Sequence, residues 1–311
     1  MSRALGIALC SSKHSIRRLA TTHTYRQAHS FSSPLNHSKQ ASSGNGAAPS
    51  PPAFVKTSYP SNEVDIPDDF LKRTPIDAAP ITVHRIDFAK SSLREYHAYY
   101  ATVLDNVLSP SECARLLRLA EASSPTGGWS PAMLNVGAGH EMLATNFRFH
   151  DRIIWDSPEI VKRIWDRCLT ADGIAEELGT IVNKPHILGF KAVEKGVKWR
   201  MTKVNERMRF LRYGPGNFFK SHCDGSYRTP DGKQRTWYTL QLYLNDSLAS
   251  GGDLKGGATT FLSSDESRKV AVEPKMGRVL LFQHAHLLHS GDEVTRGTKY
   301  TMRSDLLYEM F

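Results

Sequence analysis

The sequence has few cysteines, and those it has are badly spaced for pairing. Cys10, Cys113, Cys168 and Cys223 form no CxxC and no regular pattern. A disulfide framework is therefore excluded, no thiolate zinc motif is present, and the usage suits a reducing compartment. Long apolar runs are missing too, so no transmembrane helix is expected. The stretch from Ala4 to Cys10 is brief and is soon followed by Lys13. Acidic residues are absent from residues 1–62, which hold Arg3, Lys13, Arg17, Arg18, Arg26, Lys39 and Lys56. Of 40 basic residues, those seven leave 33 against all 31 acidic ones, so most of the +9 net charge sits in this segment. The remainder is close to neutral. That excludes a duplex-sized basic footprint, and no nucleic-acid partner is expected.

What the first segment does contain is Ser, Arg, Thr, Pro and His. An acid-free, Arg- and Ser-rich start reads as a transit peptide, with Ser15 to Arg26 as its basic amphipathic helix. Mitochondrial import is the expectation, and a polar cytosolic tail is the alternative. Ala41 to Pro52 is close to a linker in composition. Residues 1–62 are thus expected to be a disordered targeting and linker segment. Order is expected to begin between residues 65 and 95, with one domain over about 95–311. Apolar residues at 40% and charged residues at 23% are ordinary for a globular domain.

The first half of that domain reads helical. Ser109-Pro110-Ser111-Glu112 combines a Ser cap, Pro at the first position and Glu three residues after the cap. Cys113, Leu116, Leu117 and Ala120 follow at helical spacing. Asp156-Ser157-Pro158-Glu159 is a second start, leading into Ile160, Val161, Ile164 and Trp165. The second half changes period. Met208 to Tyr213, Thr236 to Leu244, Ala258 to Leu262, Val270 to Val272, Arg278 to Phe282 and Tyr300 to Tyr308 are short runs of strand formers. Gly-rich turns separate them. The pattern predicts an α+β, mainly β fold: a sandwich or jelly roll with N-terminal helices packed on one face.

The chemistry concentrates in Phe218-Phe219-Lys220-Ser221-His222-Cys223-Asp224-Gly225. On a strand, His222 and Asp224 would project from one face and Cys223 from the other. A third ligand is available at His289, in Leu287-Leu288-His289-Ser290-Gly291. His284 and His286 are its rivals and read better as strand-end residues bonding locally. Two imidazoles and one carboxylate on one face of a metal leave positions open, the arrangement of non-haem Fe(II) oxygenases. A closed four-ligand zinc site could not admit a chelating 2-oxo acid and dioxygen. Lys299 stands ten residues after His289, and Tyr213 nine before His222. They offer a cation and a phenol to the far carboxylate of 2-oxoglutarate. Arg303 shares a strand face with Lys299 and is the alternative anchor, or an ion-pair partner of Asp224 or another acid. Arg228, Lys233 and Arg235 read as a solvated hairpin, with a lid that meets substrate as the alternative. Arg148 and Arg152 either reach the mouth of the site or pair structurally.

Residues from about 205 to 308 resemble the catalytic domain of the prolyl 4-hydroxylase family of Fe(II)/2-oxoglutarate dioxygenases. The matching pieces are Arg212-Tyr213 with Gly216, the HxD at His222 and Asp224, Tyr243-Leu244-Asn245-Asp246, Gly256-Gly257-Ala258-Thr259-Thr260-Phe261, Glu273-Pro274 with Gly277, and His289-Ser290-Gly291 leading to Lys299-Tyr300 and Arg303. Ala258 departs from the Glu the family commonly has there. The resemblance implies a double-stranded β-helix and iron ligation by His222, Asp224 and His289. It also implies 2-oxoglutarate anchoring by Lys299 with Tyr213 assisting, and ascorbate to keep the iron reduced. The implied reaction is hydroxylation of an unactivated C–H bond with release of succinate and CO2. The substrate would be a peptidyl proline or a small metabolite, with dioxygen as the other reactant. The alternative is a jelly-roll binding or sensing module that keeps the ligand set without turnover.

Overall fold

Short apolar runs cut by glycine turns give strands that leave one sheet and enter another. In a computed structural model, which describes residues 54–311, eight such strands form the core. They are β1 (Arg207–Tyr213), β2 (Phe218–His222), β3 (Gln234–Tyr243), β4 (Thr259–Leu262), β5 (Lys269–Val272), β6 (Val279–Gln283), β7 (His289–Gly291) and β8 (Lys299–Met310). The larger sheet contains the order β6-β3-β8-β1, and the smaller one β5-β4-β7-β2, all antiparallel. Every connection between successive strands crosses sheets except the β4–β5 hairpin. This is the expected double-stranded β-helix. All six strand-forming runs read from sequence are strands, to within two residues at each end.

Period two decides which face of the larger sheet does what. From β1, β3, β6 and β8, the set Met208, Phe210, Leu240, Leu242, Val279, Leu281, Met302 and Leu306 packs on one side in a common apolar cluster. Helices α1 (Pro110–Ser123) and α2 (Pro158–Cys168) cover that side with Cys113, Leu116, Ile160 and Ile164. The opposite side carries Tyr213, Thr239, Gln241, Tyr243, Lys299, Thr301 and Arg303, so polar residues of buried strands face the smaller sheet. Both helix starts form as the sequence indicates. Ser109 and Glu112 close a capping box on α1, and the Ser157 side chain caps α2. Among the described residues, no helix is long and apolar enough to cross a membrane.

Three expectations need correction. The first half is not only helical: Thr82–Arg85, Ala101–Asp105 and Asp151–Asp156 extend the larger sheet at its two edges. Ala101–Asp105 lies against β6 and is buried through its first four residues, and an apolar run of that length carries no period that separates strand from helix. Ordered chain also begins upstream of residue 65, because Phe54–Lys56 pairs with His140–Met142. Arg235 lies with its guanidinium 4.2 Å over the Trp237 ring, so that part of the 228–235 hairpin is packed and not merely solvated. The targeting reading rests on residues 1–53, which lie outside the described residues.

The helices are tied to each other by a buried ion pair. Arg167 of α2 grips both oxygens of Glu112 in α1, at 2.6 Å each, and donates to the carbonyls of Leu71, Arg73 and Val107. Arg167→Ala strands Glu112, so unfolding free energy should fall by roughly 3–5 kcal/mol in urea titrations. A change below about 1 kcal/mol would show that water reaches Glu112 freely.

Candidate metal centre

Three ligand-type side chains converge between the two sheets. His222 ends β2 and His289 opens β7, and the two are register partners. Asp224 lies past the end of β2, which corrects the expectation that a strand would orient the pair. Its direction is set from the opposite sheet. The Thr239 hydroxyl of β3 donates to Oδ2 at 2.5 Å, and Arg303 Nη1 of β8 sits 2.9 Å from Oδ1. Candidate ligand atoms of His222, Asp224 and His289 all lie within 4.8 Å of one another. His222 Nε2 is 3.6 Å from Asp224 Oδ1, and His289 Nε2 is 3.8 Å from Oδ2. Cys223 turns away and packs with Leu262 and Leu288.

The protonation of the site suits a cation. His222 Nδ1 is 2.8 Å from the Lys220 carbonyl and His289 Nδ1 is 3.0 Å from that of Leu287. A carbonyl only accepts, so each Nδ1 carries the proton and each Nε2 keeps its lone pair. Burial, reinforced by His222, pushes His289 down to about 3, so it stays neutral. Burial alone would raise the Asp224 carboxyl, but the interactions led by the Arg303 guanidinium outweigh it and hold it well below its ordinary range. The result is a neutral His289, a His222 whose Nδ1 is turned to a carbonyl, and one carboxylate, with His222, Asp224 and His289 at 7%, 4% and 5% exposure. Three such donors that share one point fit Fe(II) with positions left open.

Beside the triad lies a place for an anion. Lys299, at the start of β8, pairs in register with Tyr213 at the end of β1. Its ammonium stands 5.0 Å over the Tyr213 ring and 5.8 Å over that of Tyr243. Among the described residues, no carboxylate lies within ion-pair distance of it, although the side chain is only 2% exposed. Burial lowers its proton affinity to about 8, against its ordinary 10.5. Burial also pushes the Tyr213 phenol up to about 12, so it is a hydrogen-bond donor at neutral pH. Gly257, at φ +73°, favours glycine: the backbone is left-handed and an added Cβ would sit 3.0 Å from Val294 Cγ2 and 3.1 Å from Lys299 Cδ.

Arg303 comes to the same cavity, but its guanidinium is committed to Asp224 and Asp305, at 2.9 and 3.1 Å. Of the two readings from sequence, the ion pair with Asp224 is the one the geometry realises, and it leaves Lys299 as a cavity cation without an acid partner among the described residues. His284 sits 3.5 Å from Asp305 and outside the triad. Sequence reasoning missed Thr239 and Gln241. Gln241 and Tyr243 both donate to the Thr259 hydroxyl, at 2.6 and 2.7 Å, on the cavity wall. Their signal was present: alternate polar positions within the apolar run of β3. Arg152 pairs with Glu141, whereas Arg148 lines the cavity.

Residues 208–304 match the family model described as the 2OG-Fe(II) oxygenase superfamily. This chain carries a 2OG-Fe(II) oxygenase domain. The enzyme is a 2-oxoglutarate-dependent dioxygenase, and its family implies Fe(II) and 2-oxoglutarate. No curated protein matches the chain in sequence. Solved structures that resemble it include a viral collagen prolyl hydroxylase from Paramecium Bursaria Chlorella virus-1 in its 2OG complex. That pair shares 20% identity over 68% of this chain and 96% of the other, with a TM-score of 0.40. A Pseudomonas putida prolyl-4-hydroxylase gives 16% over 71% and 94%, with a TM-score of 0.43. A Trichoplax adhaerens prolyl hydroxylase, solved with a hypoxia inducible factor peptide fragment, gives 16% over 70% and 88%, with a TM-score of 0.44.

The oxygenase domain's outer partners are directly testable. Thr239→Val and Arg303→Met should each weaken Mn(II) binding roughly 10–100-fold, as loss of a group that orients a metal ligand does. Circular dichroism should stay unchanged. Wild-type affinity in both variants would mean that Asp224 needs no such support.

Proposed function

We propose that the enzyme hydroxylates an unactivated C–H bond, with a prolyl residue of a peptide as the substrate class and a small metabolite as the alternative. The observation that carries this is the buried ammonium of Lys299, without an acid partner, beside the convergent His222, Asp224 and His289. In this reading His222, Asp224 and His289 hold Fe(II), and Lys299 takes the far carboxylate of 2-oxoglutarate, with the Tyr213 phenol as second donor. The iron, when bound, supplies oxygen activation coupled to decarboxylation of 2-oxoglutarate to succinate and CO2. The chain's own work is placement and exclusion of water. The two histidines keep their lone pairs by donating through Nδ1. Arg303 and Thr239 fix the carboxylate, and the apolar walls from Leu211 and Phe219 dry the cavity. The prolyl assignment is supported by the order of family-like motifs from Arg212 to Arg303. Ascorbate as the reductant follows from the same resemblance. Mitochondrial import remains the proposed location, supported by the acid-free, Arg-rich first 62 residues.

His222→Ala should lower Fe(II)-dependent succinate release by more than about 100-fold, beyond what loss of an outer partner does. Succinate formed at the wild-type rate in that variant would remove the metal reading.

Lys299 gives a pH signature. Its folded proton affinity, near 8, lies below the unfolded 10.5, so the unfolded chain binds more protons between those values. The charged amine therefore opposes folding below pH 8, and that opposition fades as pH rises through this window. A bound anion needs the proton in place. The 2-oxoglutarate Kd should be flat below pH 7 and rise above pH 8 by up to about tenfold per unit. Lys299→Gln should bind weakly at every pH. A Kd that stays flat to pH 9.5 in the wild type would exclude Lys299 as the anchor.

A further inference from the structure

Segment 148–156 crosses from one sheet to the other. Arg148–Phe149 adds a strand to the smaller sheet beside β2, and Asp151–Asp156 adds one to the larger sheet beside β1. Arg148 is the register partner of Phe219, so both side chains enter the cavity from the same wall. The guanidinium lies 4.8 Å over the Phe219 ring, and that ring is stacked on His222 at 3.8 Å. Arg148 Nε donates to His150 Nε2 at 2.8 Å. His150 in turn donates from Nδ1 to the Asp151 carbonyl at 3.0 Å and is stacked on Tyr213 at 4.1 Å. His150 is therefore neutral: it orients the arginine without balancing its charge.

What Arg148 lacks is an acid. Among the described residues, no carboxylate is within ion-pair distance, and the only other partner of its guanidinium is the Met133 carbonyl at 3.4 Å from Nη1. Arg152, four positions along the same segment, is met by both oxygens of Glu141. Arg303, the other arginine of the cavity, is met by Asp224 and Asp305. The fold supplies carboxylates to these neighbours and withholds one here, where the side chain is partly buried on the cavity wall and an unbalanced cation is costly. Burial lowers the proton affinity of Arg148 to about 10, consistent with that cost.

We propose that Arg148 is a substrate-binding residue, which takes a carboxylate of the molecule to be oxidised in the open fork of its guanidinium. The inference rests on the oxygenase reading above and narrows its substrate to one that carries a carboxylate within reach of the oxidised carbon. The cavity then has two cations for two anions. Lys299, on β8 beside Tyr213, serves the co-substrate. Arg148, on the strand added beyond β2, serves the substrate. A planar fork with Nε held by His150 and Nη1 only in a long bond to the Met133 carbonyl can turn Nη2 and the remaining Nη1 hydrogen to a carboxylate, which an ammonium could not match in geometry.

The test uses full-length enzyme loaded with Mn(II) and 2-oxoglutarate, which binds but does not turn over. Calorimetric titration compares N-acetyl-L-proline and short peptides ending in proline, each as the free acid and as the amide. Wild type should bind free acids at least about 30-fold more tightly than their amides, the scale of a desolvated charge pair. Arg148→Gln should erase that preference, and Arg148→Lys should keep part of it. The 2-oxoglutarate Kd should move less than about twofold in both variants, which also reports that they are folded. Three results would overturn the proposal. They are equal or absent binding of acid and amide by wild type, a preference that survives in Arg148→Gln, or a 2-oxoglutarate Kd raised about tenfold by that change. The last would assign Arg148 to the co-substrate. A wild-type protein that fails to bind 2-oxoglutarate fails before any probe is added, and contradicts the underlying oxygenase reading instead.

Discussion

A carboxylate at 4% exposure has to be surrounded by positive charge and donors, or it takes up a proton. Asp224 meets that constraint with Arg303 on one oxygen, the Thr239 hydroxyl on the other and two histidine rings alongside. Those partners come from β2, β3, β7 and β8, which belong to both sheets. The site therefore exists only when the jelly roll is closed. The helices on the far side of the larger sheet matter for the same reason: they press β1, β3 and β8 into the alignment that places Thr239, Lys299 and Arg303 on one wall.

Charge is arranged in the cavity with economy. Asp224 is balanced by Arg303, and Arg303 is shared with Asp305, which Arg209 also meets at 3.1 Å. Lys299 and Arg148 are the cations that this arrangement leaves open. Buried amines and guanidiniums without acids are unfavourable in an empty protein, and each becomes favourable when an anion arrives. In the proposed assignment, this separation of one neutralised and two open cations is what lets a single cavity tell a co-substrate from a substrate.

Much of this was legible in the sequence, and the parts that were not have physical reasons. Six of the eight core strands could be read because β-branched and aromatic runs alternate with Gly-Pro and Gly-Gly turns. The ligand triad could be read because an HxD, a later histidine and a lysine ten residues on recur together. The extra strands at 82–85, 101–105 and 151–156 could not, since runs this short at the edges of a sheet lack a decisive period. The support of Asp224 by Thr239 was hidden for a different reason. It joins residues fifteen apart on different sheets, and no local pattern encodes which hydroxyl will face the metal. Arg148 and Arg152 looked alike in sequence, and only the position of Glu141 separates the structural one from the open one.

The most direct measurement is an anaerobic crystal structure of the enzyme with Mn(II) and 2-oxoglutarate. The account predicts a metal bound by His222 Nε2, His289 Nε2 and Asp224 at about 2 Å. It also predicts the far carboxylate of 2-oxoglutarate on the Lys299 ammonium, with the Arg148 fork still open. A metal bound elsewhere, or a 2-oxoglutarate whose far carboxylate sits on Arg303 or Arg148, would contradict it.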